Sequence, residues 1–546
     1  MLRSVNRWTL NIVVIVFLFA TPLFTLLINL FGPSSETWQH LSQTVLSEYV
    51  SNSFWLLLGV GGLSLLFGVP AAWLVSTCEF PGRKYFEWML ILPLAIPSYI
   101  LAYTYVGILD YTGFLQVFLR NSLGWEVSQE WFDIMNLKGA IFVMALALYP
   151  YVYVSARAAF LKQSQTLLES SRNLGSSSWE SFFKVVLPVS RPAIFGGLFL
   201  VLMEVLNDYG AVTYYGINTF TTGIFRAWFS LGDLNAAIRM AILLLFAVFL
   251  IITLERYQRG KARFHSKGVA PPFQSYKLSG LQKVFSMVVC ILPLLFGFII
   301  PVSQLIYWVY LTAAHVVNNT FFILLGNSFL LAVTASFLCI GVSVILAYSL
   351  RLNQPNWVKY LSRIAVMGYS IPGAVIAVGV MVPVLFLDKQ LGNWLEDLFG
   401  INAGFLLNGT FLVLVFAYLV RFLAVSYNPI ESGFTKTCGS LDEASRSLGV
   451  SPSLTLWKIN LPLIKEALLG AAILVFVDVL KELPLTLILR PFNFNTLATS
   501  AYILAGDEQV AESANAALVI ILIGILPIIL LNRLISKQKS NGNIAA

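Results

Sequence analysis

Apolar runs of some twenty residues recur along this chain, with short polar stretches between them. About 20 consecutive apolar residues cross the hydrocarbon of a bilayer as an α-helix. A helix is also the form in which one segment satisfies its own backbone polar groups there. The runs fall at about Leu10–Leu30, Phe54–Ser76, Phe86–Leu109, Gly139–Ala159, Ala193–Val212 and Ala236–Leu254. A second set follows at about Val284–Leu311, Ser328–Leu350, Ile364–Leu387, Phe405–Val425, Ala467–Leu489 and Ala517–Leu531. Six plus six predicts an all-α membrane protein of about 12 transmembrane helices.

Composition agrees. Of 546 residues, 58% are hydrophobic and 11% charged, against about 25% charged in soluble domains. The formal charge of +8 needs no nucleic-acid partner, because membrane proteins gather Lys and Arg in cytoplasmic loops and no soluble basic face is present. The first run follows Arg3 and Arg7 and lacks a small-residue cleavage site, so it is expected to stay as a helix rather than leave as a signal peptide. Cys78, Cys290, Cys339 and Cys438 form no CxxC, and His40, His265 and His315 are scattered, so neither a disulfide nor a metal site is expected.

The two sets are copies of one another. Glu169–Pro188 reads ESSRNLGSSSWESFFKVVLP and Glu443–Pro462 reads EASRSLGVSPSLTLWKINLP, 274 residues later. At that offset Glu169 meets Glu443, Arg172 meets Arg446, Gly175 meets Gly449 and Lys184 meets Lys458. Asn52-Ser53-Phe54 and Ile96-Pro97 recur at offset 275, as Asn327-Ser328-Phe329 and Ile371-Pro372. The halves are taken as 1–254 and 284–546, with polar loops at 164–190 and 436–464 and a basic linker at 255–283. An even number of spans per half makes them parallel repeats. Arg83, Lys84, the linker, Arg351, Lys359, Arg363 and Arg533 all fall on one side of this arrangement. Asp110, Asp388, Glu396, Asp397, Asp507 and Glu508 fall on the other. The charge bias places both termini and both repeat loops in the cytoplasm.

Each repeat loop joins the fourth and fifth spans of its half. Leu441, Ala444, Ser445 and Leu448 share one face of a short helix, with Asp442, Glu443 and Arg446 elsewhere. Gly449 is placed to end that helix in the left-handed region, and Ser451-Pro452 to start another. A plain amphipathic connector is the simplest reading of one such loop. Two copies with the same Glu, Gly and Leu-Pro spacing point to a shared task.

Glu443-Ala444-Ser445, Gly449 six positions after the Glu, and Ile459-x-Leu461-Pro462 resemble the EAA loop of type I bacterial ABC importer permeases. The first copy has Ser170-Ser171 for the small residues and Val185 for Ile459. The resemblance spans both halves. It implies an inner-membrane permease whose loops dock a cytoplasmic dimer of ABC ATPases while a periplasmic binding protein delivers cargo. By this transfer Glu169, Arg172, Gly175, Glu443, Arg446 and Gly449 are the ATPase-coupling residues. No GxxxxGK[ST] phosphate loop occurs, so ATP and Mg are expected on a partner subunit and the chain itself is not expected to be an enzyme.

Charges inside the spans are the remaining signal. Glu204 and Asp208 in the fifth run match Asp478 and Glu482 in the eleventh, and each pair is spaced four apart, on one helix face. Two readings stay open: these carboxylates line a path for cationic cargo, or they form structural ion pairs, as Lys481 beside Asp478 suggests. Tyr209, Tyr214 and Tyr215 likewise read as hard oxygen ligands or as interfacial anchors. The stretches 205–212 and 478–499 are similar to those of fused ferric-iron permeases, which makes ferric iron the expected cargo. Thiamine, polyamine, sulfate and molybdate remain alternatives within the class, and an ion-coupled carrier remains one outside it.

Overall fold

The computed structural model describes residues 7–125, 128–162, 175, 178–259, 276–352, 354–400 and 404–542. Its architecture is helical, with one parallel pair of two-residue strands, Cys78–Glu79 and Tyr276–Lys277. The long helices are α1 (Arg7–Asn29), α2 (Leu46–Thr77), α3 (Ser98–Leu109), α4 (Leu137–Lys162), α5 (Leu187–Asn207) and α6 (Leu234–Arg259). They continue as α7 (Leu281–Val316), α8 (Asn319–Arg351), α9 (Gly373–Phe399), α10 (Phe411–Lys436), α11 (Lys465–Lys481) and α12 (Val510–Gly542).

Among the described residues, 10 helices are long and apolar enough to cross a membrane, or 11 if the bent pair Arg83–Ala95 and Ser98–Leu123 counts as one span. This count differs from the expected 12 runs at two places. The third run is bent by 91° at Ile96-Pro97, because a residue before proline is pushed out of the α region and proline brings no N–H to the ladder. Ile96 is extended (φ −98°, ψ 115°), as is its repeat mate Ile371 (φ −101°, ψ 130°). The eleventh run is divided after Lys481, which leaves α11 with 17 residues.

The repeat is visible in the backbone. Both α4 and α10 begin and end 274 residues apart, and a wide π-turn occupies Phe182–Val186 and again Leu456–Asn460. The helix exteriors are greasy and the interiors small, as lipid-facing helices require. On α8, Phe337 is 75% exposed while Ala332, Ala335, Ser336, Cys339 and Ser343 are buried. Ser336 donates to the Ala472 carbonyl at 2.9 Å, and the Ser343 and Ser426 hydroxyls meet at 2.6 Å.

The chain forms two compact units, and these do not follow the boundaries of the sequence halves. One unit comprises residues 1–41, 224–245 and 317–500. Within it α1, from the first half, packs on second-half helices: Thr9 donates to Gln354 at 2.7 Å and Thr25 to the Gly379 carbonyl at 3.0 Å. The other unit comprises residues 42–223, 246–316 and 501–546. Here α7, from the second half, packs on first-half helices, with the Tyr105 hydroxyl donating to the Phe296 carbonyl at 2.5 Å. It also meets α12, where Asn515 donates to Thr312 at 2.7 Å.

Candidate functional site

The second repeat loop is a pair of short helices closed by specific caps. The first, Ser440–Ser447, ends at Gly449 with φ 75°. The Gly449 N–H donates to the Arg446 carbonyl (2.9 Å) and the Val450 N–H to the Ser445 carbonyl (3.0 Å). This pattern satisfies the last carbonyls of a helix and favours glycine at the left-handed position. The next helix opens with Ser451, whose hydroxyl accepts the Leu454 N–H at 3.4 Å, and Pro452 follows in the first turn. The Ser445 and Thr455 hydroxyls, 2.6 Å apart, join the two limbs.

The structure sets which side of the first short helix is buried. Asp442 and Ser445 are its buried residues, while Leu441, Ala444 and Leu448 are exposed beside Glu443, Arg446 and Gly449. Asp442 turns inward because its carboxylate meets Arg351 at 2.5 Å and accepts from Asn460 at 2.9 Å. Leu448 (82% exposed) and Trp457 (71%) are left exposed. In the first loop, Glu169 and Arg172 lie outside the described residues. Gly175 is described; it is exposed, with φ 85°, matching Gly449.

The four carboxylates behave differently from one another. Helix α5 stops at Asn207 and α11 at Lys481, so Asp208 and Glu482 are extended cap residues, not continuations of the faces carrying Glu204 and Asp478. The expected shared face is corrected accordingly. Asp208 is buried, and its Oδ1 accepts the N–H groups of Ala211 (3.0 Å) and Val212 (3.2 Å). Its Oδ2 accepts a short hydrogen bond from the Ser98 hydroxyl. Glu482 repeats the cap, its Oε1 accepting the Leu485 N–H at 3.2 Å, but its partner is Arg421, with Nε 3.3 Å from Oε2. Asp478 pairs with Lys481 at 2.8 Å. Glu204 is half-buried.

The unit around Asp208 is rich in phenols. The Tyr209 and Tyr502 rings lie 5.9 Å apart, Tyr99 and Tyr502 6.5 Å, and Tyr103 and Tyr214 6.2 Å. At the equivalent positions the second half carries Ala374 for Tyr99, Val378 for Tyr103, Leu483 for Tyr209 and Ile488 for Tyr214. Tyr215 is buried, with Leu489 as its mate. Among the described residues, no group of three or more His, Cys, Asp or Glu side chains converges as a metal cage.

Sequence reasoning missed Ser98, Arg421 and Arg351 as members of these sites. Arg421 carried a usable signal, a lone cation inside an apolar run, which by default demands a partner.

Comparison with known proteins gives the same picture. The profile of the family "Binding-protein-dependent transport system inner membrane component" matches twice, over residues 64–261 and 340–540, and the chain belongs to this family. It is similar to the Fe(3+)-transport system permease protein FbpB 2 of Haemophilus influenzae, with 27% identity over 89% of this chain and 90% of that protein. It is also similar to the ferric transport system permease protein FbpB of Actinobacillus pleuropneumoniae, with 23% identity over 95% of this chain and 76% of that one. The molybdenum transport system permease protein ModB of Escherichia coli is 29% identical over 30% of this chain and 70% of its own length. The chain is thus a multi-helix permease of transport type, similar along both halves to ferric transport permeases.

Proposed function

We propose that this chain is the membrane-spanning permease of a ferric-iron importer, driven by a separate ATPase and supplied by a periplasmic binding protein. The observation that carries the cargo assignment is coverage: ferric relatives run through both halves of this chain, whereas the molybdenum relative spans 30% of it. A cation is also the easier cargo for a chain with Asp208, Glu204 and Asp478 at the ends of its fifth and eleventh helices.

In this reading ATP and Mg are bound by the partner, and both repeat loops and both termini lie in the cytoplasm. The exposed surface of Glu443, Arg446, Leu448 and Trp457, with the left-handed turn at Gly449, is the docking face; Glu169, Arg172 and Gly175 form its mate. Gly supplies a turn that other residues enter at a cost of roughly 1–2 kcal/mol. Asp208 and Glu482 serve the path indirectly, by holding the breaks at which α5 and α11 end. Tyr209 and Glu204, both half-buried, are assigned to face the cargo.

The test is uptake of radiolabelled ferric iron into proteoliposomes holding the permease, its ATPase and its binding protein. ATP-dependent iron uptake that survives an uncoupler supports the reading. Uptake that collapses with the uncoupler while ATP remains identifies an ion-coupled carrier. ATP-driven uptake of molybdate or thiamine but not iron reassigns the cargo.

A further inference from the structure

The end of α8 holds the second repeat loop through one side chain. Arg351 is in the last turn of α8, and its Nε pairs with Asp442 at 2.5 Å. Its Nη1 donates to Thr437 Oγ1 at 2.8 Å and, at shorter range, to the Phe434 carbonyl. Its Nη2 reaches the carbonyls of Thr437 and Cys438, each at 3.3 Å. The guanidinium fork is therefore spread over the C-terminus of α10 and the first helix of the loop, a planar geometry that lysine cannot reproduce. The opposite carboxylate oxygen of Asp442 accepts from Asn460, in the π-turn where the loop leaves for α11. One turn earlier on α8, the Tyr348 hydroxyl donates to the Pro452 carbonyl at 2.8 Å. Both limbs of the loop are thus tied to one helix end.

The first half does not carry the same residues. At the positions of Arg351, Asp442 and Asn460 it carries Ser76, Leu168 and Val186, and Trp73 replaces Tyr348. Trp73 instead packs against Phe160 (5.6 Å) and Phe182 (4.8 Å), a contact without directional bonds. Charge-assisted bonds fix orientation as well as distance, whereas ring packing tolerates sliding.

We infer that Arg351 is a positioning residue for coupling, and that the two repeat loops are mechanically unequal. The second loop moves as one body with α8 and α10, and the first does not carry the residues of this clamp. The inference rests on the reading of these loops as ATPase docking elements. A push on the second loop then reaches α8 directly, and loss of the clamp lets the partner turn over ATP without moving the gate.

The experiment gives the second half the first half's residues: Arg351→Ser, Asp442→Leu and Asn460→Val together. In proteoliposomes with the ATPase and binding protein, ATP hydrolysed per ferric ion imported is expected to rise at least threefold, with the ATPase still co-purifying. An unchanged ratio in an assembled complex overturns the inference. Should the triple variant fail to assemble, Asp442→Asn, which keeps the side-chain volume, is read by the same ratio with the same two outcomes. Ser76→Ala, at the first-half position of Arg351 and outside the loop, is the matched control and is expected to leave the ratio within twofold; an equal rise there also overturns the inference. If the wild-type permease retains no ATPase at all, it is the docking assignment that falls, not the asymmetry.

Discussion

Arg421 lies 3.3 Å from Glu482 inside one unit, at the place where the equivalent carboxylate of the other repeat, Asp208, is held by the hydroxyl of Ser98. The exchange is compensated residue by residue. Ala147 stands where the second half has Arg421, and Gly373 stands where the first has Ser98. A Cβ on Gly373 would come within 2.7 Å of both Arg421 Nη1 and Glu482 Oε1. The absent side chain is what makes room for the guanidinium. Both repeats therefore break a helix with a carboxylate cap and satisfy that carboxylate by different chemistry, a neutral hydroxyl donor in one and a guanidinium in the other.

Removing the cation alone is expected to be severe. Arg421 and Glu482 are both nearly inaccessible, with 6% and 7% of their side-chain surface exposed. Loss of one partner from a buried pair costs about 3–5 kcal/mol. Arg421→Met is expected to lower the midpoint of denaturant unfolding in detergent sharply, and Arg421→Met with Glu482→Gln to recover a good part of it. Equal midpoints for the single and double variants would show that the pair is not what is being broken.

The glycine should be conditional on the arginine. Gly373→Ser in the wild type forces the buried pair apart and is expected to cost about 1–3 kcal/mol. With Arg421→Ala and Glu482→Asp also in place, the second half carries the first half's set, and the same serine is expected to be neutral or stabilising. A double-mutant cycle on thermal unfolding measures the coupling; simple additivity would mean that Gly373 and Arg421 do not share space.

Local features were legible in the sequence, and contacts between distant segments were not. The left-handed Gly449 and the cap at Ser451-Pro452 follow from backbone rules that act over a few residues; the Ile-Pro breaks obey an equally local rule, but apolar run length does not register them. The repeat itself follows from identities at a fixed offset. What failed was the facing of side chains. The shared face of Leu441 and Leu448 says nothing of which side is buried, and Asp442 goes inward because Arg351 awaits it 91 positions earlier. Likewise the fifth and eleventh runs are apolar past their breaks, so periodicity could not show that Asp208 and Glu482 leave the helix. Their partners come from Ser98 and Arg421, 110 and 61 positions away. The packing of α1 and α7 with helices of the other half is likewise a contact between distant segments.

Ser98 gives a milder test than Arg421. Ser98→Ala leaves one oxygen of a buried carboxylate without its hydroxyl donor, a loss worth about 1–3 kcal/mol. The Ala211 and Val212 N–H groups still hold the other oxygen, so the fold is expected to survive with a lower unfolding midpoint. Ser98→Thr, which keeps the hydroxyl, is expected to stay closer to wild type. If alanine and threonine unfold alike, the hydrogen bond is not the relevant contact.

Gly449 separates backbone conformation from bulk. Its φ of 75° is left-handed, yet a Cβ there would meet nothing within 4 Å. Substitution is therefore limited by strain and not by collision. Asparagine tolerates this region better than β-branched residues do. The expected order of retained ATPase in pull-downs is wild type, then Gly449→Asn, then Gly449→Asp, then Gly449→Val. Valine is expected to lose most of it, because the turn that presents Leu448 beside Glu443 no longer closes. The pattern Gly449→Val equal to Gly449→Asn would locate the effect in side-chain contact with the partner, and retention by all three would remove this turn from the docking face.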